Sequence, residues 1–212
     1  MGFVRKVYSI LGAQLAFTTL FVLVPLLMPE VRTWMVQMFP ILIAALIGQV
    51  VTSIILVCCR GISRRVPLNY ILLGLFTLCE AYLVGFIASW YEPETVIAAA
   101  AGTAGITLAI SIYAWTTKSD FTIFGPMLLV VGFTFCIMSM FAFLFGRVFN
   151  MIFCGIAVIL FSFYLLFDTQ LIMGGKRYEI EIDDYILGAI ILYTDIVTIF
   201  LYLLSLFGGG NK

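Results

Sequence analysis

The stretch ILIAALIGQVVTSIILVCC, residues 41–59, runs for nineteen residues without a charge and ends against Arg60. A helix rises about 1.5 Å per residue, so a run of this length approaches the roughly 30 Å hydrocarbon core of a bilayer. Six further runs of the same kind flank it: Tyr8–Met28, Leu68–Trp90, Val96–Trp115, Phe124–Phe145, Met151–Met173 and Tyr185–Phe207. Polar or turn-forming residues separate them. Pro29 and Glu30 close the first run, Gly61 to Pro67 divide the second from the third, and Glu92-Pro93-Glu94 follows the third. Lys118 to Asp120, Gly146 to Asn150 and the charged linker Lys176–Asp184 close the next three. These breaks predict an all-α membrane protein, a seven-helix bundle forming one domain over residues 1–212.

Composition agrees. The 212 residues are 64% hydrophobic and only 10% charged, with a mean hydropathy of +1.19. A soluble domain carries about 25% charged residues. Eleven basic residues balance eleven acidic ones, which suggests no nucleic-acid partner. The chain has no histidine, which excludes Ser-His-Asp and Cys-His catalysis, His-ligated metals and His-based pH sensing. Cys58, Cys59, Cys79, Cys136 and Cys154 lie in or beside apolar runs, form no Cys-x-x-Cys pair and read as small buried hydrophobes. Arg5 and Lys6 precede the first run as in a signal peptide. That run is too long for a signal core and ends in Pro29–Glu30, so it is expected to remain as a span. No Asn-x-Ser/Thr acceptor is present.

Loop charges give an orientation. With seven spans, one side holds Arg5, Lys6, Arg60, Arg64, Arg65, Lys118, Lys176 and Arg177, eight of the eleven basic residues. Arg32, Arg147 and Lys212 fall on the other. Basic loops stay cytosolic, which places the N-terminus in the cytosol. A six-span arrangement with a re-entrant last segment would return the C-terminus there. In the fourth run, Ala98/Gly102 and Ala101/Gly105 form small-x-x-x-small pairs, which predict close helix packing.

Three acids lie inside apolar runs: Glu80, Asp168 and Asp195. An acid at mid-helix costs about 2.5–3.5 kcal/mol on insertion scales, against roughly 0.3–0.6 kcal/mol returned by each Leu or Phe. Such residues are functional candidates by default, the alternative being protonated side chains that only hydrogen-bond neighbouring helices. Asp168 and Asp195 flank the same short linker. They reach a common depth if the last helix begins before the membrane surface, as the polar start Asp183–Asp184 permits. Two carboxylates about 4 Å apart at an effective dielectric near 20 repel by about 4 kcal/mol. Such a pair holds one proton and exchanges it in coupled steps. Doubly ionised, Asp168 and Asp195 would offer oxygens to a hard cation such as Ca²⁺. Arg60, Arg64 and Arg65 either reach a carboxylate near the cytosolic surface or simply enforce topology.

Several motifs match a known family. Residues 3–11 (FVRKVYSIL) with Gln14-Leu15, Pro67-Leu-Asn69 with Phe76-Thr77 and Glu80, and Thr117-Lys-Ser-Asp120-Phe-Thr122 with Gly125 occur in its order. Phe167-Asp-Thr-Gln170, then Asp184-Tyr185 and Leu192-Tyr-Thr-Asp-Ile196, complete the series. Over nearly the whole chain the sequence resembles the Bax inhibitor-1 superfamily, in its lifeguard and Golgi anti-apoptotic protein branch. The resemblance implies seven helices with the last near the centre. It implies a Ca²⁺ leak or channel in endoplasmic reticulum or Golgi membranes, an anti-apoptotic or stress-modulating role, and no enzymatic activity. Ca²⁺, and protons with it, enter as transported ions; no cofactor is implied. The resemblance assigns pH-sensing and gating to Asp168 and Asp195, ion conduction to Glu80, and a latch partner to the Arg60–Arg65 loop. The family's usual aliphatic residue two before the last Asp is Tyr193 here, followed by polar Thr194.

Two rival readings stand beside this one. A non-conducting protein could regulate membrane channels or death-regulator proteins through its helices. An intramembrane aspartyl protease would use the same two aspartates, but the Gly-x-Gly-Asp motif is missing and the last Asp sits in Tyr-Thr-Asp.

Overall fold

A computed structural model describes residues 2–141 and 146–209. The helices are α1 (Gly2–Leu27), α2 (Pro29–Gln37), α3 (Phe39–Cys58), α4 (Arg60–Ser63) and α5 (Leu68–Ala88). They continue as α6 (Pro93–Thr116), α7 (Gly125–Phe141), α8 (Gly146–Met173) and α9 (Tyr185–Gly208), with a 3₁₀ turn over Thr122–Phe124. No strand occurs among the described residues. Seven helices there are long and apolar enough to cross a membrane, one for each apolar run.

The boundaries differ in instructive ways. α1 begins well before Tyr8 and carries Arg5 and Lys6 as helical residues. Pro29 and Glu30 do not merely stop the chain but start the short helix α2, with Pro29 at its first position and Glu30 in its first turn. α2 buries Met35 against Ala45, Cys79 and Tyr82. α8 begins at Gly146, not at Met151, so the stretch read as a linker is helical. Arg147 belongs to that extra turn, and its Nε donates to the Gly209 carbonyl at 2.5 Å, satisfying an orphan acceptor at the end of α9. α8 stops where Gly174 and Gly175 take left-handed φ of 70° and 73°. Residues 142–145, which close the expected Phe124–Phe145 run, lie outside the described residues, as does Lys212. α9 is one continuous helix of 24 residues.

Two compact units divide the chain. The first comprises residues 1–93 and 181–193, the second residues 94–180 and 194–212. In the first, α5 packs against α1 and α3. Hydrogen bonds stitch these helices: Gln14 Nε2 donates to Thr77 Oγ1 at 2.9 Å, and the Thr18 and Tyr193 hydroxyls meet at 2.8 Å. In the second, an aromatic cluster fixes α7, α8 and the latter part of α9. Phe135 stacks on Phe153 with centroids 4.2 Å apart, and Tyr202 closes on both edge-on. Among the described residues, α9 is the most enclosed of the candidate spans, followed by α5.

Two expectations change. The packed face of α6 is not the Ala98 and Ala101/Gly105 stripe. Thr95, Ala99 and Thr103 are buried, while Ala98, Ala101 and Gly105 are exposed. Gly102 alone of the expected set makes a close approach, its missing Cβ leaving room for Leu203 of α9. The cysteines divide likewise: Cys79 and Cys154 are buried, but Cys58, Cys59 and Cys136 are exposed. An apolar span faces lipid as readily as protein, so hydrophobicity alone does not place a thiol inside.

Candidate functional site

α8 brings Asp168 to the C-terminal part of its length, and the segment before α7 fixes its position. Gln170, two residues on, accepts the Phe121 amide at 2.8 Å and donates to the Ser119 carbonyl at 3.0 Å. Lys176 Nζ donates to the carbonyls of Lys118 and Ser119, both at 3.1 Å. Asp120 accepts from the Thr122 hydroxyl at 2.6 Å, the Thr122 amide at 2.9 Å and the Arg177 amide at 3.2 Å. These bonds, the Thr122 hydroxyl first, hold the Asp120 carboxyl below its ordinary range.

Against this fixed end lies Asp195 of α9. Asp168 and Asp195 are 7% and 6% exposed, and their carboxyls lie beside each other. Among the described residues no amide, hydroxyl or basic donor reaches the buried Asp195 Oδ2. A carboxylate only accepts, so two neighbouring carboxyls can hydrogen-bond each other only when one of them carries a proton. Tyr164, one turn before Asp168, donates its hydroxyl to the Leu128 carbonyl of α7. The structure therefore brings the two sequence-predicted aspartates together. Among the described residues no third His, Cys, Asp or Glu joins them to form a metal-binding group. The pair supplies only part of the six to eight oxygens that Ca²⁺ takes.

Glu80 occupies a half-buried position on α5, with Gln49 of α3 beside it. The arginines of the expected latch lie on acids of the linker before α9. Arg64 forks onto Asp184, with Nε to Oδ1 at 2.7 Å and Nη2 to Oδ2 at 2.8 Å, and Nη2 also meets Glu181 at 2.5 Å. Arg60 reaches the other oxygen of Glu181 at 3.4 Å. Arg65 is exposed. The Arg64 guanidinium holds the buried Asp184 carboxyl below its ordinary value. Beside this pair, Asn69 donates to the Ser63 carbonyl and to the Tyr185 hydroxyl, and Lys6 sits 3.3 Å over the Tyr185 ring. The N-terminal turns, the α3–α5 connection and the start of α9 thus gather at one end of the first unit.

The sequence model of the family described as "Inhibitor of apoptosis-promoting Bax1" matches residues 1–212. The chain belongs to the Bax inhibitor-1 family. It is 35% identical to human protein lifeguard 3 over 216 residues, covering 99% of this chain and 69% of that protein. The mouse protein lifeguard 3 is 33% identical over 217 residues, covering 99% and 70% respectively. Arabidopsis thaliana protein LIFEGUARD 4 is 33% identical over 222 residues, covering 97% and 84%.

Some polar residues of this Bax inhibitor-1 family chain escaped the sequence reading. Glu181 read only as linker charge, and Asp184 as the polar start of the last helix and a motif residue with no partner, yet opposite charge on two loops assigned to one membrane side was a usable signal. Gln170 stood inside a family motif with no role. Gln49 gave no signal, because a single amide inside an uncharged run does not reveal which neighbour it faces.

Proposed function

We propose that this protein is a pH-sensitive Ca²⁺ leak channel of an endoplasmic reticulum or Golgi membrane, with a cytosolic N-terminus and an anti-apoptotic effect exerted through Ca²⁺ homeostasis. The observation that carries this reading is the buried carboxyl–carboxyl contact of Asp168 and Asp195 on two spanning helices. With one shared proton the contact is attractive and holds α8 to the second part of α9. With none, two like charges about 4 Å apart repel by about 4 kcal/mol at an effective dielectric near 20. That exceeds what a helix–helix hydrogen bond in a membrane returns, about 0.6 kcal/mol on average. Proton loss therefore drives the helices apart and opens the path. Glu80, beside Gln49, is a separate candidate for handling the ion. We read the aspartates as a latch and not as a protease dyad, since Tyr193-Thr194-Asp195 lacks the protease signature.

The test is Ca²⁺ flux into proteoliposomes of purified protein across the neutral pH range. Flux that titrates in the wild type and loses its pH response in both Asp168→Asn and Asp195→Asn is the expected result. Unchanged pH dependence in both variants would overturn the latch. Folded protein without flux at any pH would leave the non-conducting, interaction-based reading in its place.

A further inference from the structure

α3 ends at Cys58, and Cys59 breaks the helix with φ −101° and ψ 75° before the short α4. Both thiols are exposed. They stand at the limit of the uncharged run, immediately before Arg60, whose side chain is 67% exposed, and five to seven residues before Arg64 and Arg65. Together the two cysteines end a spanning helix and begin its basic collar. The other cysteines differ. Cys79 and Cys154 are buried, and Cys136 lies twelve residues into the 17-residue α7, within the apolar length.

We propose that Cys58 and Cys59 are S-acylation sites whose substrate is a long-chain acyl-CoA. Such a donor is an amphiphile with its acyl chain in the bilayer and its phosphorylated CoA part in water, which leaves the thioester carbonyl at the interface. The thiols occupy that depth. Arg60 and the exposed Arg65 offer cations to the CoA phosphates, the charge-assisted pairing that guanidinium groups favour. A Cys thiolate attacks the thioester carbonyl carbon, since the thiolate is the nucleophilic form. A new Sγ–C bond forms, and the C–S bond to CoA breaks. CoA leaves as its thiolate and takes up the proton that the cysteine released, so no oxidant or reductant is needed. Juxtamembrane cysteines are the usual positions of this modification. The product places one or two acyl chains in the leaflet beside Arg60 and Arg64, the residues that pair with Glu181 and Asp184 ahead of α9. The proposal rests on the cytosolic assignment of the basic loops.

The experiment expresses the full chain in cultured eukaryotic cells fed an alkyne-bearing long-chain fatty acid, with tag coupling after purification. The expected result is hydroxylamine-released label on the wild type. Label should be reduced in Cys58→Ala and in Cys59→Ala, fall to background in the double variant, and be retained in Cys136→Ala. An unchanged melting temperature shows that the double variant is folded. In parallel, a membrane-impermeant maleimide is applied to cells whose plasma membrane alone is permeabilised. Maleimide labelling of Cys58 and Cys59 without any releasable acyl group overturns acylation and leaves the topology standing. Maleimide labelling only after the organelle membrane is opened overturns the topology and the proposal with it. Acyl label that persists in the double variant also overturns the assignment.

Discussion

The Tyr193 hydroxyl meets Thr18 at 2.8 Å in a side chain with no solvent exposure, which explains a tyrosine where the family resemblance leads one to expect an aliphatic residue. The ring also packs edge-on against Phe76, with centroids 5.9 Å apart. Tyr193→Phe keeps the ring and removes the bond. Such bonds contribute about 0.6 kcal/mol on average in membrane proteins and no more than about 1.7. A reversible unfolding measurement in mixed micelles should therefore show a small loss within that range. A larger loss would mean that the hydroxyl does more than join α1 to α9. Asp184 makes a different residue-scale prediction. Its carboxyl is held below the ordinary value of 3.8 by the Arg64 fork, so folding favours the ionised form. That contribution is complete above about pH 4 and is lost as pH falls through the lower folded value. Asp184→Asn should thus lower the melting temperature by a constant amount across neutral pH, with the gap narrowing only in acid. A gap that changed between mildly acidic and neutral pH would make Asp184, and not the buried pair, a neutral-range sensor.

At the scale of elements, α7 and α8 meet where Gly132 faces Tyr164. A Cβ at Gly132 would collide with the Tyr164 hydroxyl, which is committed to the Leu128 carbonyl. Gly132→Ala must displace a ring one turn from Asp168. Overpacking of this kind costs about 1–3 kcal/mol. Tyr164→Phe removes the colliding oxygen, so the double variant should recover part of that loss, and a double-mutant cycle should report a clear coupling energy. Additive effects would mean that the two helices separate instead of the ring moving. Neither residue stood out in the sequence. The spans themselves were legible because a bilayer leaves few solutions for a long uncharged run, and the charged breaks divided the chain into seven such runs. The short α2 and the first turn of α8 were not, because proline, glycine and charge mark a helix start as well as a loop. Asp168 and Asp195 were legible because an acid in an apolar run is expensive. Their contact required knowing which faces of α8 and α9 meet, as did the true packing stripe of α6.

For the whole molecule, the number of spans and the side of the basic loops are one linked statement. Lys6 on Tyr185, and Arg60 and Arg64 on Glu181 and Asp184, gather the N-terminal turns, the second loop and the sixth loop at one end of the first unit. In the second unit, Lys176 binds carbonyls of the fourth loop. Both sets of contacts join the loops that a seven-span count assigns to a common side. The acids that pair with these arginines do not weaken the orientation signal, because Asp and Glu contribute little to it. A continuous α9 of 24 residues then carries the chain away from that side. The sequence holds no Asn-x-Ser/Thr acceptor, so an added one reports without background. A glycosylation tag appended after Lys212 should be modified in microsomes and give an endoglycosidase-sensitive gel shift, while the same tag placed before Met1 should not. Modification at Met1 alone would invert the orientation and place the Asp184–Arg64 pair in the lumen. Modification at both ends or at neither would mean an even number of spans and overturn the seven-span count.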